Sequence, residues 1–574
     1  KIAWSFLVLD IKSLHLCNSE IPFSKFVSDI QILFQWFSHP LFEKAISVGI
    51  FINIYLSIGS LLTESRNIMQ YQSHYGMLYH NYRTDHKLLM EYSSPNMAKS
   101  MTIGHFRNTI IGQIIYNILL QTSCYHLNRN YIGDRWTAFG KFVTILFHTY
   151  QKDPSIVEKI VLQPQRYIWP LYAQFKDLLS PDKDNEARKI VILMEQGNPL
   201  IKELRTLIRR LSMIDFYEVY WLLDISFDCT LWESFSVSLD NNVLDDLHAR
   251  DIIHSSQWAM IIKLKRMGNN SWRPLTSNEI DQWREGVDQV MVFSKSDGST
   301  LYAPRDLALL KYRSQQLHAD RFIYVVWSEQ NIYFEHLISL GEYLGRIVPG
   351  SMIHLSYGLY LQDGKKMSSR TGWALWAYEL IETIAWSILE QSEGKIDKQI
   401  AEKLAVSALI INDTKGDITK DVNLDIAAIT KLTGDTWIYI QYTMVRMRSL
   451  IVKLEETLIS WSILWWSADS GFHSVAFDEW SSLLYYELWL DQLLFLSICL
   501  PIKIKQSIEY MKPHVLTQYL LELAATFNKR YNNTTRLLDK TDWEKVCILH
   551  SLNVYSLIYR KVMSLLHLPE VERM

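Results

Sequence analysis

Two rhythms of apolar and polar positions divide the chain. The first 65 or so residues combine amphipathic helical spacing with the apolar run "AISVGIFINIYLSIGSLL" (45–62), which predicts a small α+β unit. That run approaches bilayer length, but Gly49, Asn53, Ser57, Gly59 and Ser60 punctuate it. Its β-branched and aromatic content favours buried strands over a membrane span. Residues 66–87 are polar and connective. From Leu88, strand-like blocks alternate with helical spacing: "KLLMEYSS", a helix from about Gly104 to Leu120, "YHLNRNYIG", then helix again. The alternation resumes after 290 with "QVMVFSK", a helix from Arg305, and "RFIYVVWS". Strands separated by helices imply βαβ units and a parallel sheet. The charged, mainly helical stretch of about 150–285 reads as an insertion into that sheet domain, and after about 375 the spacing is helical to the end.

Composition narrows the classes. At 574 residues the chain exceeds one hydrophobic core, so several domains are expected. Apolar residues at 48% and charged residues at 21% are ordinary for a globular protein, and a net charge of −3 offers no global field for nucleic acid, leaving only local basic surfaces. Cys17, Cys124, Cys229, Cys499 and Cys547 form no CxxC pair, which argues against structural zinc and a disulfide framework and fits a reducing cytoplasm. "KIAWSFLVLDIK" is too short and too charged to read as a signal peptide.

The candidate chemistry starts in "SSPNMAKSMTIGHFRNTIIG" (93–112), which holds Lys99, His105 and Arg107 and no acidic side chain. A glycine-bearing helix N-terminus offers unpaired N–H groups to an anion. Gly104 admits close backbone approach, His105 can donate to a phosphate, and Lys99 adds a mobile charge. Taken alone, a Gly-His pair at a helix start more often reflects capping and packing. A second basic, glycine-flanked loop, "DGKKMSSRTG" (363–372), also reads as a solvated charge run. Together the two suit a triphosphate held from both sides.

These residues carry a family resemblance. "TIGH" is similar to the HIGH signature and "KMSSR" to the KMSKS loop of class I aminoacyl-tRNA synthetases. "EYSSPNMAKSMTIGHFRNTIIG", "SDGSTLYAPRDLALLKYR", "IYVVWSEQNIYFEHL", "GDTWIYIQYTMVRMRSL" and the terminal "ERM" resemble the arginyl member in particular. The resemblance covers roughly 45–574. It implies an α/β fold: a Rossmann-like parallel-sheet catalytic domain (80–385, insertion 150–285), a small N-terminal α+β tRNA-contacting domain (1–65), and a C-terminal all-α anticodon-binding bundle (386–574). The implied activity is arginine–tRNA ligation, with L-arginine, ATP with Mg²⁺ and tRNA(Arg) as substrates, in a monomer with no membrane partner.

The resemblance assigns roles residue by residue. Glu91, Ser93, Asn96, Tyr302, Asp306 and Gln330 match the arginine site. Carboxylates and amides there make chemical sense, because a guanidinium demands acceptors in a fork-matching geometry. Thr102, Gly104, His105, Lys366, Met367, Ser368 and Ser369 match the ATP site. Among them His105 and Lys366 would stabilise the pentacoordinate phosphate, with Lys99 compensating for the missing second lysine of KMSKS. Thr102 replaces the first HIGH histidine. Tyr439, Gln441, Tyr442, Arg446 and Arg448 interleave aromatic and basic side chains suited to tRNA bases and phosphates, although a helix core would look the same. Phe51 and Asn53 match the strand used near the tRNA elbow.

Some positions depart. Tryptophan stands where the family has glycine at Trp136, Trp327 and Trp437, and in poorer matches at Trp221, Trp232 and Trp258. Such side chains would overpack tight turns. Glycine, at 21 residues, is about half its usual share of roughly 7%, and 20 tryptophans make up the shortfall. That pattern predicts UGA codons, read as glycine in the living cell, at many tryptophans. Arg135 and Ala138 are departures this does not explain. With Thr102 they favour a rival reading, a catalytically degenerate paralogue that binds tRNA or a partner protein. A small-molecule adenylate-forming enzyme is a second rival, opposed by the helical C-terminal region. No large editing domain is evident, as expected where a charged pocket rejects neutral analogues.

Overall fold

The structure is a computed structural model. It describes residues 6–10, 42–48, 51–78, 86–97, 101–134, 136–164, 166–168, 170–171, 181–237, 239, 243–256, 259–268, 271–282, 288–294, 302–362, 364–366, 376–430, 437–465, 490–533 and 539–573. Two compact units emerge, residues 79–430 and residues 1–78 together with 431–574.

The 79–430 unit is organised by a five-stranded parallel sheet. Its strands are β1 (Lys87–Glu91), β2 (Tyr125–Ile132), β3 (Cys229–Trp232), β4 (Arg321–Trp327) and β5 (Met352–Tyr357), in spatial order β5-β4-β1-β2-β3. Leu88, Leu89 and Met90 are all buried, as in a strand covered on both faces, which is why "KLLM" shows no alternation. From β1 the chain moves to one side through β2 and β3 and returns to the other through β4 and β5. The order therefore reverses beside β1, and the crevice at the carboxyl ends there is where open α/β sheets bind ligands. Helix α1 (Ile103–Leu119) connects β1 to β2; α2 (Tyr302–Gln315) precedes β4, and α3 (Asn331–Tyr343) leads from β4 towards β5.

Three expectations are corrected. "QVMVFSK" forms a strand, Gln289–Ser294, but it pairs antiparallel with Ala259–Arg266 in a separate four-stranded sheet that includes His254–Ser256 and Trp272–Pro274. Ile262, Leu264, Met291 and Phe293 of that sheet share one core with Leu307, Phe322 and Phe334, so burial against α2, β4 and α3 holds it. The stretch read as a helical insertion also donates β3 to the parallel sheet. Its helices, including Pro199–Leu222, pack Ile160, Ile208 and Leu211 into a core shared with Phe139 and Phe142 of the helix Trp136–Lys152. Residues 386–430, expected with the C-terminal bundle, fall in the same unit as the sheet.

The other unit joins the two ends of the chain. Phe6–Asp10, Phe51–Leu56 and Phe42–Val48 make an antiparallel sheet with Phe51–Leu56 in the middle; strands are expected for the whole apolar run 45–62, but its end belongs to a helix, Ile58–Tyr71. Among the described residues no helix is long and apolar enough to cross a membrane. The C-terminal part is helical: Trp437–Trp465, Leu490–Ile498, Leu500–Tyr510, His514–Asn533 and Asp542–Leu565. Thr541 and Glu544 form a capping box that starts the last of these. Its buried tyrosines cross-tie the bundle: the Tyr555 hydroxyl donates to the Leu523 carbonyl (2.7 Å) and that of Tyr559 to Ile440 (2.9 Å).

The tryptophans at glycine-like positions do not sit in tight left-handed turns. Trp136 and Trp437 open helices and Trp327 ends β4, and none of the three has positive φ. Trp437 is 2% exposed and is accommodated within the core. The tight left-handed turns expected from the sequence are absent at these three positions.

Candidate active site

The helix α1 begins with a reciprocal cap. Thr102 is its N-cap, and His105, three residues on, turns its Nδ1 back to accept the Thr102 N–H (3.1 Å), with the Thr102 hydroxyl 3.0 Å away. Histidine here fills the place glutamate takes in an ordinary capping box. Because Nδ1 accepts, the neutral ring carries its proton on Nε2 and can donate a hydrogen bond without being charged. Thr102 thus has a structural reason to replace histidine. Gly104 is exposed at the same helix end, and a Cβ there would meet nothing nearer than the Thr102 hydroxyl at 3.7 Å. The protein's own packing does not require this glycine.

The carboxyl end of β1 is locked to that helix. Beyond Glu91, Ser93 and Ser94 adopt left-handed backbone (φ 68° and 46°), a costly conformation for two non-glycine residues in succession. Ser93 supports it three ways: its N–H donates to Asn108 Oδ1, and its hydroxyl bonds both Thr109 (2.8 Å) and Tyr220 (2.7 Å). Asn108 and Thr109 are the next residues of α1 after Arg107, and Asn108 also donates to the Val325 carbonyl of β4 (2.7 Å) and the Tyr357 hydroxyl of β5 (3.1 Å). Three strand ends therefore converge on the turn of α1 that carries His105. Asn96 lies alongside, its backbone bridged to Gly133 at the end of β2.

Glu91 does not point an unpaired carboxylate into the crevice, which corrects the simplest reading of it. It is buried and ion-paired to Arg313 of α2, a side chain 1% exposed that also donates to the Tyr324 hydroxyl. A second buried arginine, Arg129, stands close by; burial, with Arg313 as a like-charged neighbour, pulls its pKa down. Asp306, one turn into α2, accepts from the Tyr333 hydroxyl of α3. Although part of Asp306 is accessible, enclosure by protein raises its carboxyl to about 7, against the opposing pull of Tyr333 and Arg313 and with help from Glu91 and Glu233. Gln330 is half-buried at the N-cap of α3, three residues before Tyr333. Tyr302 opens α2 and is 37% exposed.

The basic loop is described only at its edges. Lys366 ends a two-residue strand, Lys365–Lys366, paired with Tyr360–Gln362; its side chain, together with Lys99, Met367, Ser368 and Ser369, lies outside the described residues. Where the chain re-enters, Trp376 bridges Thr102 and the Ala377 N–H donates to the Met101 carbonyl (2.9 Å). Among the described residues no three His, Cys, Asp or Glu side chains gather as a metal-ligand set.

In the other unit, Tyr442 and Arg446 form an exposed stack. The guanidinium lies 4.2 Å from the Tyr442 ring centroid and 5.0 Å from that of Tyr531. Arg448 is exposed, 3.7 Å from Glu572, and Tyr439 is half-buried. Gln441 is corrected: it is completely buried and donates to the Pro569 carbonyl (2.8 Å), a clasp between helix and C-terminus out of a ligand's reach. Phe51 and Asn53 lie on the middle strand of the three-stranded sheet, their side chains outside the described set. Sequence reasoning missed Arg313, Arg129, Tyr324, Tyr333 and Tyr220. Three of these, Arg313, Tyr324 and Tyr333, lie inside the very segments that carried the resemblance.

Comparison with known proteins identifies the family. The family model for the catalytic domain of class I (R) tRNA synthetases matches residues 67–426, and that for the DALR anticodon binding domain matches 483–574. The arginine–tRNA ligase of Exiguobacterium sibiricum is 28% identical over 549 residues, covering 93% of this chain and 88% of the relative; one from Bacillus thuringiensis is 28% identical over 516, covering 88% of this chain and 83% of the relative. The Thermus thermophilus arginyl-tRNA synthetase structure superposes with a TM-score of 0.74 at 19% identity, over 99% of this chain and 94% of that one. The Plasmodium falciparum structure gives 0.70 at 20%, over 100% and 96%. With a catalytic-domain match across more than half its length, this chain belongs to the class I arginyl-tRNA synthetase family.

Proposed function

We propose that the chain is an arginine–tRNA ligase, activating L-arginine with ATP and transferring it to the 3′ end of tRNA(Arg). One observation carries the reading: the strand end bearing Glu91 is bonded through Ser93 to Asn108 and Thr109, so an acid-rich pocket and a helix N-terminus open on one crevice. A substrate that is a guanidinium at one end and a carboxylate at the other fits between them. Asp306 receives the guanidinium, with Asn96, Gln330 and Tyr302 as further partners and Glu91 acting through Arg313. The substrate carboxylate then attacks the α-phosphate of ATP, pyrophosphate leaves, and the mixed anhydride passes its acyl group to the terminal ribose.

Charge that develops on the phosphorus meets the Gly104 N–H, the His105 Nε2–H, and Lys366 of the loop. Magnesium enters as MgATP, carried on phosphate oxygens. The tRNA is met elsewhere by the Tyr442–Arg446–Tyr531 stack, a geometry suited to an unpaired base. The deciding experiment is ATP–pyrophosphate exchange with arginine, run with and without tRNA(Arg), followed by aminoacylation. Exchange dependent on arginine supports the reading. A chain that binds tRNA(Arg) yet exchanges nothing is the degenerate paralogue instead.

A further inference from the structure

Arg107 lies two residues beyond His105 on α1 and is wholly buried, so it touches neither phosphate nor arginine. Its guanidinium is shared among four backbone carbonyls. Nη1 donates to Gly358 (2.6 Å) and Leu359 (3.1 Å), and Nη2 to Lys420 (3.0 Å) and Ile418 (3.3 Å). Nε meets Asp413 Oδ1 at 2.9 Å, and the rings of Tyr357 and Tyr360 stand 5.8 and 5.2 Å from the guanidinium carbon. Only a planar fork of five donors can hold so many acceptors at once.

The two segments it grips are pressed backbone to backbone. The Gly358 N–H donates to the Ile418 carbonyl (2.9 Å), and a Cβ on Gly358 would stand 2.4 Å from the Lys420 carbonyl, so no other residue fits. From there the chain runs directly into Tyr360–Gln362, which pairs with Val422–Asn423 on one side and with Lys365–Lys366 on the other. A pairing two residues long has little stability of its own. Its position is set by what holds its root: Arg107, the Gly358–Ile418 bond and the Leu359 N–H donated to Asp421 Oδ1 (2.6 Å). The far end of the basic loop returns to the same helix end, through Met101 and Thr102.

We propose that Arg107 is a positioning residue that fixes the root of the basic loop, and through it Lys366, against the phosphate-facing end of α1. The proposal rests on the reading of this crevice as an adenylate-forming site. One helix thereby carries both the proposed phosphate-facing end and the anchor of the strand pair that bears Lys366. Misplacement of such a group by about 1 Å costs on the order of 100-fold in rate.

The test is arginine-dependent ATP–pyrophosphate exchange by the full chain with tRNA(Arg) present, comparing wild type with Arg107→Lys, Lys366→Ala and the double variant. Lysine keeps a charge for Asp413 but cannot reach four carbonyls. The expected result is a loss of roughly 10- to 100-fold in kcat/KM for ATP, with KM for arginine within about twofold and less than about threefold further loss when Lys366 is already alanine. An unchanged kcat/KM, or the same loss in both backgrounds, overturns the proposal. If the wild type itself exchanges nothing, the functional reading fails separately and hydrogen exchange decides. The amides of Gly358, Val422 and Leu424, which donate across the gripped segments, must then exchange faster in Arg107→Lys, and unchanged rates overturn the anchor. Should Arg107→Lys not fold, Asp413→Asn takes its place in the same measurements, and the same results support or overturn the anchor.

Discussion

The two walls of the crevice are built by opposite means. The carboxylate wall is a network of side chains: Glu91 against Arg313, Arg313 against Tyr324, Asp306 against Tyr333, with Arg129 close by. The phosphate wall is mostly backbone, the N–H groups of a capped helix end facing a short hairpin that Arg107 pins at its root. On the proposed reading a cation is met by charges whose mutual pairing is already satisfied, and an anion by helix-end dipoles with Lys366 beside them. The first device is selective and pH-sensitive; the second is tolerant and depends on close approach.

The largest effect should come from breaking the carboxylate wall where it meets the substrate. Asp306→Asn should lower kcat/KM for arginine about 10³-fold, matching the roughly 4 kcal/mol lost when one partner of an enclosed charge pair is neutralised. Steady-state exchange at varied arginine measures it, with KM for ATP as the internal control. Arg313→Met should next destabilise the fold by about 3–5 kcal/mol, because it strands the buried Glu91 without its partner. Denaturant titration reads that loss. The Glu91→Gln, Arg313→Met double variant should recover much of it, and a double variant no more stable than the single one removes the pair from the explanation.

How far the sequence reaches follows the same division. The phosphate wall is local in sequence: a cap, a glycine and a histidine within four residues announce it, and α1 runs from Ile103 to Leu119 against an expected Gly104 to Leu120. β1, β2 and β4 are likewise readable, because buried blocks between helices have few alternatives. The carboxylate wall is long-range. Arg313 reads as an ordinary basic residue in the last turn of a helix, and only a fold that closes 222 residues of chain brings it to Glu91. Gln441 has the same history, buried by a carbonyl 128 residues away. β3 spans four residues with no period of its own, and the antiparallel partner of Gln289–Ser294 cannot be told from a parallel one by its apolar pattern. The negative φ at Trp136, Trp327 and Trp437 removes backbone strain as a reason to expect glycine there. The shortfall of glycine in the composition is independent of that, and UGG codons at those three positions would end the case for recoding.

The pH response sharpens the contrast between the walls. Asp306 is raised to about 7, so below that pH the unliganded site holds it protonated. The arginine guanidinium stays charged throughout and needs the ionised form. Its kcat/KM should therefore be flat above about pH 7 and fall about tenfold per unit below, since each pH unit costs one power of ten in the ionised fraction. Arginine binding at about pH 6.5 should release protons to the medium, measurable by calorimetry in buffers of different ionisation enthalpy. The affinity for ATP, read by backbone dipoles, should show no break at that pH. Glu91 and Glu233 raise Asp306 and Arg313 opposes them, so Glu91→Gln should move the break downward.

The smallest expected effect falls on the phosphate wall, at Gly104. Within the protein a Cβ at this position meets only the Thr102 hydroxyl at 3.7 Å, and the residue lies in an α-helix, where alanine is favoured over glycine by about 1 kcal/mol. Packing and propensity alone therefore make Gly104→Ala stabilising, by up to about 1 kcal/mol in denaturant titration. A phosphate brought against the N–H groups of this helix end would meet the added methyl, so KM for ATP should rise about fivefold, on the order of 1 kcal/mol. The variant thus separates two reasons for a glycine that sequence alone cannot tell apart. Greater stability with weaker ATP binding assigns the position to the ligand, whereas greater stability with unchanged ATP kinetics moves the phosphate away from α1 and leaves the helix end as a cap.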